Sequence, residues 1–386
     1  MQKVFYPCCP SCSFPVYEDE TKCPNCSAKK PKDGWPQDRR IGTTFLGKYT
    51  ILKRIGFGAT GSVYAAQGNQ GMVALKFLHP HLSADVELVK RFRIEAAVTQ
   101  KLEVPQVVKT MEFGVAEDGS YFMVMEFVSG TSLSTLLRYE KPPLMDAIEV
   151  TRQILQALDI AHRHRVIHRD LKPSNIILTT NADGTPLVKI LDFGFAKCLL
   201  EQHHQIYKDI KVTRDRIMMG TPHYMSPEQA QASQGIDGRT DLYSLGVILY
   251  QMVTGVVPFD AKSQMDIVLK HIHEQPIPPI ERDPSCPKPL NDFIMKLLEK
   301  DRGKRFKTAG EALAVLNSMF PPESPVQGAP SSAPVTRPTV FFQELDRLVQ
   351  QAPLPEEKKK KSKRWVYVVA VLAGLIVLAV VIFAVK

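Results

Sequence analysis

Beyond residue 26 the sequence is poor in cysteine. Only two of its seven cysteines, Cys198 and Cys286, lie after that point, and they are far apart in the chain. This distribution argues against disulfide bonds that span the chain, and it favours free, buried thiols in a reducing compartment. Residues 1–10 contain no apolar core, so we expect no secretory signal at the start of the sequence. The sequence also contains no internal repeat.

Basic residues outnumber acidic ones, but the excess is local. The chain has 49 lysines and arginines against 40 acidic residues, a net charge of +9, and six of the basic residues fall within residues 358–364. A run this short predicts a solvated tail or a patch on a membrane surface rather than a nucleic-acid site. Residues 1–30 also lack a stripe of basic and aromatic side chains, so we expect no nucleic-acid partner.

Composition divides the 386 residues into five segments. Residues 1–30 are rich in Cys and Pro, and residues 31–48 form a short linker. Residues 49–320 alternate strand-like and helix-like runs. Residues 321–364 are a Pro-rich and polybasic linker predicted to be disordered, and residues 365–385 are continuously apolar. Within the third segment, strand-like runs dominate residues 49–128 and amphipathic helical runs dominate residues 129–320. This order predicts an α+β fold with two lobes and a cleft between them.

Residues 56–63 read GFGATGSV, a glycine-rich pattern between two predicted strands. Glycine lets the backbone approach phosphate oxygens without a Cβ in the way. Dinucleotide-binding folds use the same glycine spacing, but there it opens a helix, whereas residues 62–66 continue as a strand. Lys76 lies in the next apolar strand, where its ammonium needs an anion. Glu95, in a helical run, is the candidate protein partner, and a phosphate is the candidate ligand partner.

Two further motifs carry the residue types that phosphoryl transfer needs. Residues 168–175 read HRDLKPSN, and after two strand-like runs the chain continues with Asp192, Phe193 and Gly194. Phosphoryl transfer depends mainly on positioning and on neutralising charge. One aspartate can take the proton of the acceptor hydroxyl, while an asparagine and a second aspartate offer the oxygen ligands that Mg²⁺ prefers.

With these motifs in this order, residues 49–320 resemble a eukaryotic-type protein kinase. The residues Lys172 and Asn175 around a Pro-Ser pair are the serine/threonine form of the loop, and the sequence SPEQ at residues 226–229 resembles bacterial members of the family. The resemblance implies the two-lobed protein-kinase fold, with an N-lobe at residues 49–128 and a C-lobe at residues 129–320. It also implies transfer of the γ-phosphate of ATP, with Mg²⁺ or Mn²⁺, to protein substrates.

The resemblance assigns roles to individual residues. It implies that Asp170 is the catalytic base, that Lys172 assists it, and that Asn175 and Asp192 bind Mg²⁺. It implies that the nucleotide site is formed by the residues Ile55, Gly56, Phe57, Gly58, Gly61, Val63, Ala74, Lys76, Glu95, Met125, Glu126, Val128, Asn175 and Asp192. It further implies a buried ion pair between Glu228 and Arg305, and a supporting role for Asp241 under the catalytic loop.

An alternative is a pseudokinase scaffold that recruits partners through its N-terminal segment. The presence of every residue with a chemical role, from Lys76 to Asp192, favours catalysis. Thr213 is the only serine or threonine between residues 195 and 220, so it is the predicted activating phosphorylation site, with Thr336 and Thr339 as weaker candidates for autophosphorylation.

The N-terminal cysteines form two knuckles of sequence CPxC. Cys9 and Cys12 make the first, and Cys23 and Cys26 make the second. Two residues between thiolates allow a tight turn to aim both sulfurs at one ion, and two such turns complete the tetrahedral set that Zn²⁺ favours. The pattern resembles a compact zinc ribbon with a structural or protein-binding role. Two disulfides, or Cys8 acting in place of Cys9, are the alternatives.

Residues 365–385 predict a single transmembrane helix. The 20 residues from 366 to 385 carry no charge, and as a helix they would span about 30 Å, the thickness of the hydrocarbon layer. The basic residues 358–364 place the preceding chain on the cytoplasmic side. We therefore expect a kinase in the cell inner membrane, facing the cytoplasm, with no sensor domain beyond the span. Dimerisation through the N-lobe or the membrane helix is left open.

Overall fold

The computed structural model describes residues 7–11, 16, 20–23, 26–58, 60–79, 82–83, 86–102, 104–181, 183–192, 222–231, 233 and 235–322. The chain divides into two units, Met1–Leu345 and Asp346–Lys386, and all described residues belong to the first. Among the described helices, none is long and apolar enough to cross a membrane. The predicted span at residues 365–385 lies outside the described residues, as do Thr213, Thr336 and Thr339.

The N-lobe is built on a six-stranded antiparallel sheet with the strand order β1-β2-β3-β4-β6-β5. The strands are β1 (Thr44–Phe45), β2 (Tyr49–Phe57), β3 (Gly61–Gly68), β4 (Gly71–Leu78), β5 (Thr110–Val115) and β6 (Tyr121–Glu126). Helix α1 (Val86–Lys101) connects β4 to β5. The hairpin between β3 and β4 closes at Gly71, whose φ of 120° is a backbone conformation that favours glycine.

Side chains that alternate along the strands give the sheet two apolar faces. The inner face packs against α1 and contains Ala74, Leu78, Met123 and Met125, with Val89, Phe92 and Ala96 from the helix. The outer face contains a separate cluster of buried side chains: Tyr49, Ile51, Tyr64, Ala66, Val73, Leu75, Phe77, Phe122 and Val124. An exposed apolar face of this size would need a cover, and the preceding segment supplies one.

Residues 38–45, within the segment predicted as a linker, pack against the outer face of the sheet. Ile41 and Phe45 contact its apolar cluster. The guanidinium of Arg40 lies 4.0 Å from the centroid of the Phe77 ring and donates to Ser120 Oγ at 2.8 Å. The buried carboxylate of Asp38 accepts a hydrogen bond of 2.7 Å from the Tyr64 hydroxyl. The same carboxylate lies 3.3 Å from the buried Arg54 guanidinium.

The Cys-rich segment is connected directly to this cover. Trp35 is buried together with Cys9, Val16 and Cys23, and its indole N–H donates to the Glu20 carbonyl at 2.8 Å. The backbone N–H of Cys8 donates to the Pro36 carbonyl at 2.8 Å. Trp35 therefore belongs to the small N-terminal core, whereas Asp38, three residues later, belongs to the N-lobe.

The C-lobe is mainly helical. Its helices are α2 (Leu133–Tyr139), α3 (Leu144–Arg163), α4 (Pro227–Ala230), α5 (Arg239–Thr254), α6 (Gln264–His273), α7 (Pro279–Arg282), α8 (Lys288–Leu297) and α9 (Ala309–Met319). A small sheet holds β7 (Thr131–Ser132), β8 (Ile176–Thr180) and β9 (Pro186–Ile190). The predicted α+β fold with a strand-rich N-lobe and a helical C-lobe is confirmed.

Helix α5 is the core element of this lobe. All of its residues from 240 to 253 except Gln251 are buried. At Gly246 an added Cβ would lie 2.7 Å from Leu297 Cβ on α8, so the absence of a side chain lets the two helices pack closely. The helix ends at Gly255, which has a left-handed φ of 79° and donates its N–H to the Gln251 carbonyl.

Replacing Asp38 with alanine is expected to destabilise the N-lobe. The change leaves the buried Arg54 guanidinium without this carboxylate, and breaking a buried ion pair from one side costs about 3–5 kcal/mol. Thermal and urea unfolding of Asp38→Ala should show that loss. Asp33→Ala, an exposed aspartate five residues earlier, is the matched control. Equal stability of the two variants would show that residues 38–45 do not hold the sheet.

Candidate active site

The glycine-rich turn joins β2 to β3 at the edge of the cleft. The Gly58 N–H donates to the Gly61 carbonyl at 2.9 Å and closes the turn. A Cβ at Gly61 would lie 2.0 Å from the Phe77 carbonyl oxygen, so this glycine is required for packing against β4. A Cβ at Gly58 would have no contact closer than 4.0 Å. Gly58 therefore leaves room at the turn, as a phosphate-binding backbone needs, whereas a Cβ at Gly56 would lie 3.5 Å from Val63 Cβ.

Lys76 of β4 crosses the cleft to Asp192. Its buried ammonium lies 2.7 Å from Asp192 Oδ1, and the Asp192 side chain keeps 44% of its surface exposed. Desolvation acts to raise the pKa of Asp192, but the Lys76 ammonium, with a smaller effect of His168, holds that pKa below its ordinary value. Asp192 also has a left-handed φ of 46°. Glu95 lies on α1, and its side chain is outside the described part of the structure.

The loop after α3 brings three predicted residues together. The Lys172 ammonium lies 2.7 Å from Asp170 Oδ2. The Asn175 side-chain amide donates to the Asp170 carbonyl at 3.0 Å, and the Leu191 N–H donates to the Asn175 carbonyl at 2.8 Å. Because the amide nitrogen of Asn175 is bound to Asp170, its amide oxygen is the atom suited to a cation. Asn175 and Asp192 thus fit the oxygen donor set that Mg²⁺ prefers.

Asp241, in the first turn of α5, holds this loop from below. Its fully buried carboxylate accepts the N–H groups of His168 and Arg169, each at 2.8 Å. It also lies 2.8 Å from His162 Nε2. Burial acts to raise the pKa of Asp241, but these hydrogen bonds, led by that of His162, hold it below the ordinary range. The expected support of the loop by Asp241 is confirmed.

The predicted ion pair of Glu228 and Arg305 is also confirmed. The two guanidinium nitrogens of Arg305 donate to the two carboxylate oxygens of Glu228 at 2.7 and 2.8 Å. The Thr240 hydroxyl donates to the same carboxylate at 2.7 Å. Both partners are buried, so the bidentate geometry and the added hydroxyl stabilise charges that water does not reach.

The inner part of the cleft is apolar where an adenine ring is expected. Ala74 and Met125 are buried side by side in the inner cluster, and the partly buried Val63 and Val128 pack against it. Ile55 is 46% exposed, and the Phe57 ring packs against His79 with centroids 4.7 Å apart. Leu191, which is not among the residues predicted to form the nucleotide site, contacts the same cluster. The position of Leu191, immediately before the predicted metal ligand Asp192, could have identified it as a residue of the site.

Glu126 differs from the other residues predicted to bind nucleotide. Its carboxylate accepts a hydrogen bond of 2.6 Å from the Lys189 ammonium and one of 3.1 Å from the Lys109 N–H. The side chain is therefore engaged by β9 and by the segment before β5. The backbone N–H of Glu126 also donates to the Lys109 carbonyl at 3.0 Å, so neither this N–H nor the side chain is available for the predicted contact with a nucleotide.

Three of the four predicted zinc ligands lie together. The sulfurs of Cys9, Cys23 and Cys26 are all within 4.8 Å of one another, with 3.6 Å between those of Cys9 and Cys26. A tetrahedral site with Zn–S bonds of about 2.3 Å places sulfurs about 3.8 Å apart, so the group fits this metal. Cys12 lies outside the described residues.

Cys8 is not part of this group, although it is described. It lies near Asp38 and Arg54, and burial, with the Asp38 charge, raises the pKa of its thiol to about 11. The geometry therefore favours Cys9, rather than its neighbour, as the ligand of the first knuckle.

The cleft as a whole defines a class of protein. A glycine turn with room for phosphate, a lysine and aspartate paired across the cleft, and an Asp-Lys-Asn loop beside them are the parts of a nucleotide-dependent phosphotransferase with two lobes. The chain belongs to the protein kinase domain family, whose model matches residues 49–317.

Curated relatives are bacterial serine/threonine-protein kinases. The chain is 38% identical over 282 residues to a probable serine/threonine-protein kinase of Clostridium perfringens, which covers 72% of this chain and 39% of that protein. It is 36% identical over 332 residues to the serine/threonine-protein kinase pkn3 of Myxococcus xanthus, with 82% and 59% covered. The chain thus spans between 39% and 59% of the length of these relatives.

Solved structures show the same fold. The PknI kinase domain of Mycobacterium tuberculosis is similar with a TM-score of 0.55 and 26% identity, covering 72% of this chain and 98% of that one. Rad53 1–466, solved in complex with AMP-PNP, is similar with a TM-score of 0.56 and 28% identity, covering 70% and 66%.

Replacing Asp192 with asparagine is expected to lower phosphoryl transfer by about 100-fold or more, because the change removes the carboxylate charge that pairs with Lys76 and that a metal needs. The measurement is kcat of purified protein with ATP and Mg²⁺. Asp183→Asn makes the same chemical change at an exposed turn between β8 and β9, and should keep wild-type activity. Near-normal turnover by Asp192→Asn would contradict the assigned role.

Proposed function

We propose that this chain is an active serine/threonine protein kinase that uses ATP and Mg²⁺. The observation that carries the proposal is the convergence of Asp170, Lys172, Asn175 and Asp192 on one side of the cleft, with Lys76 paired across it. The relatives named serine/threonine-protein kinases support the choice of acceptor, and so does the Lys-Pro-Ser-Asn form of the loop.

Each residue has a distinct task in this proposal. Asp170 orients the acceptor hydroxyl and takes its proton, while the Lys172 ammonium beside it offers a positive charge to the transferred phosphoryl group. Asn175 and Asp192 would hold Mg²⁺, which supplies charge neutralisation on the phosphates when bound. Lys76 would exchange its contact with Asp192 for shared contacts with nucleotide phosphates.

A pseudokinase scaffold is the alternative function. It would keep the fold and the N-terminal recruiting segment but transfer no phosphate. The proposal of catalysis is favoured because the charged residues of the cleft are not only present in the sequence but also lie next to one another, Lys76 beside Asp192 and Lys172 beside Asp170. Nucleotide binding without any phosphate transfer by the wild-type protein would select the scaffold.

The test compares wild-type protein with Asp170→Asn. We expect autophosphorylation and phosphorylation of proteins in cells to fall by about 10²- to 10⁴-fold in the variant, because the acceptor hydroxyl loses its base. Mass spectrometry should find phosphate on Thr213 in active wild-type protein, with Thr336 and Thr339 as weaker sites, and on none of them in Asp170→Asn. If Thr213 is unmodified in active protein, the predicted autophosphorylation of that residue is wrong.

We also propose that the N-terminal segment is a structural zinc ribbon with Cys9, Cys12, Cys23 and Cys26 as ligands. The close sulfurs of Cys9, Cys23 and Cys26 support it, as does the small size of the described part of the core, which contains Val16, Ala28 and Trp35 beside two cysteines. A site with four thiolates leaves no open position, so the metal would act in folding rather than in catalysis.

Metal analysis of purified protein should therefore give about one zinc per chain. The double variant Cys23→Ser/Cys26→Ser should lose it, because two of the four sulfurs are gone, whereas Cys8→Ser should retain it. Kinase activity should survive in the double variant and in Cys8→Ser. The cysteine segment is connected to the cover of the outer face of the N-lobe sheet, whereas the cleft lies on the inner face. Zinc that persists in the double variant would show that the ligand assignment is wrong.

The remaining proposal is a membrane location. The uncharged residues 366–385 and the basic residues 358–364 support a single span in the cell inner membrane with the kinase domain in the cytoplasm. Self-association through the N-lobe or the span is compatible with this arrangement.

Protease treatment of sealed membrane vesicles tests the topology. Full-length protein should remain with the membrane, and its kinase domain should be digested in vesicles that expose the cytoplasmic face and protected in vesicles of the opposite orientation. A variant truncated after residue 357 should be released. Full-length protein that stays in solution without detergent would contradict the proposal.

A further inference from the structure

Gln229 links the start of helix α4 to the catalytic loop. Its side-chain amide nitrogen donates a hydrogen bond of 2.7 Å to the backbone carbonyl of Arg169, the residue before Asp170. We propose that Gln229 is a positioning residue that fixes the orientation of the Arg169–Asp170 peptide and thereby aligns the Asp170 carboxylate with its substrate. The inference rests on the proposed kinase function, in which Asp170 is the base.

The side chain of Gln229 is held at both ends. Its Oε1 accepts the Ser226 N–H at 3.1 Å, while its own backbone N–H donates to Ser226 Oγ at 3.3 Å, which together form a capping box. Because Oε1 faces an N–H group and Nε2 faces a carbonyl, the orientation of the amide is determined by its partners. Gln229 is 9% exposed, so little water competes for either bond.

The capping box is connected by hydrogen bonds to buried residues of the C-lobe core. Ser226 Oγ lies 3.2 Å from the Thr240 hydroxyl of α5, and Thr240 in turn donates to Glu228. Glu228 is fixed by the bidentate contact with Arg305. Gln229, which donates to Arg169, is therefore connected by hydrogen bonds to α5, the same helix that contains Asp241.

Arg169 has a backbone conformation that needs external support. Its φ is 63°, in the left-handed region that residues with a Cβ rarely adopt. Asp241 Oδ1 binds the N–H on one side of the residue at 2.8 Å, and Gln229 binds the carbonyl on the other side. Since a peptide group is planar, holding that carbonyl also fixes the direction in which the chain enters Asp170.

Loss of the Gln229 donor is therefore expected to affect the chemical step rather than nucleotide binding. Lys76, Ala74 and Met125, which line the nucleotide side of the cleft, do not depend on this bond. Misplacement of a reacting group by about 1 Å can lower a rate by about 100-fold. We expect kcat to fall by about 10- to 100-fold with the KM for ATP unchanged within about twofold.

Two reciprocal substitutions separate positioning from helix capping. Gln229→Glu keeps an oxygen that can accept the Ser226 N–H but places a second oxygen against the Arg169 carbonyl. Gln229→Lys keeps a donor for that carbonyl but offers no acceptor to Ser226. A positioning role predicts a large loss of kcat in Gln229→Glu and a substantially smaller one in Gln229→Lys. A role confined to capping predicts the opposite order, with activity following thermal stability.

Gln231→Glu and Gln231→Lys are the matched controls, because Gln231 lies at the end of the same helix and is exposed. Both should have wild-type kcat. If Gln229→Glu does not fold, Gln229→Met takes its place, because it keeps the volume and removes both polar atoms. The kcat of Gln229→Met is then compared with that of Gln229→Lys. A kcat for Gln229→Glu within twofold of its Gln231 control, or equal losses in the Glu and Lys variants, would overturn the proposal.

Amide hydrogen exchange provides a readout that does not need activity. Residues 167–171 should exchange at least about 10-fold faster in Gln229→Glu than in Gln231→Glu, because the loop loses the hydrogen bond that holds the Arg169 carbonyl. If wild-type protein transfers no phosphate, the proposed function fails, whereas the exchange experiment still decides whether Gln229 holds the loop. Equal exchange in these two variants would overturn the inference even if the wild-type protein is an active kinase.

Discussion

The buried carboxylate of Asp241 is the interaction on which the active site depends. It has no contact with solvent, and it satisfies the N–H groups of two consecutive residues in the catalytic loop, His168 and Arg169. A carboxylate in the first turn of a helix is stabilised by the unpaired N–H groups there, which helps to keep it charged inside the protein. Because α5 is buried along nearly its whole length, the loop takes its position from a helix in the core of the C-lobe.

The two lobes meet at the end of β9. The Ile190 N–H donates to the Gln106 carbonyl at 2.7 Å, and the Val108 N–H donates to the Ile190 carbonyl at 3.0 Å. Lys189 adds an ion pair of 2.6 Å with Glu126 at the end of β6. Asp192 follows two residues after Ile190, so its approach to Lys76 results from these backbone and side-chain bonds rather than from the attraction of the two charges alone.

The N-lobe depends on residues that lie outside the family match. The match begins at residue 49, but the outer face of the sheet is completed by Ile41 and Phe45, and it is secured by Asp38 and Arg40. Without that cover the aromatic side chains of Phe77 and Phe122 would face solvent. Residues 35–45 therefore join the cysteine cluster to the sheet.

The sequence by itself determined the two-lobed fold and most of the cleft, because its motifs are local: GFGATGSV, HRDLKPSN and the aspartate before Phe193 each specify a turn and its chemistry within a few residues. Tertiary structure alone decided those contacts between distant positions that the resemblance did not imply. These include the engagement of Glu126 by Lys189, the seating of Asp38 against Tyr64 and Arg54, and the bond from Gln229 to Arg169. No periodicity or spacing predicts such pairs, because whether a buried polar group finds a partner depends on how whole elements pack, and only packing brings residues 16 to 63 positions apart into contact.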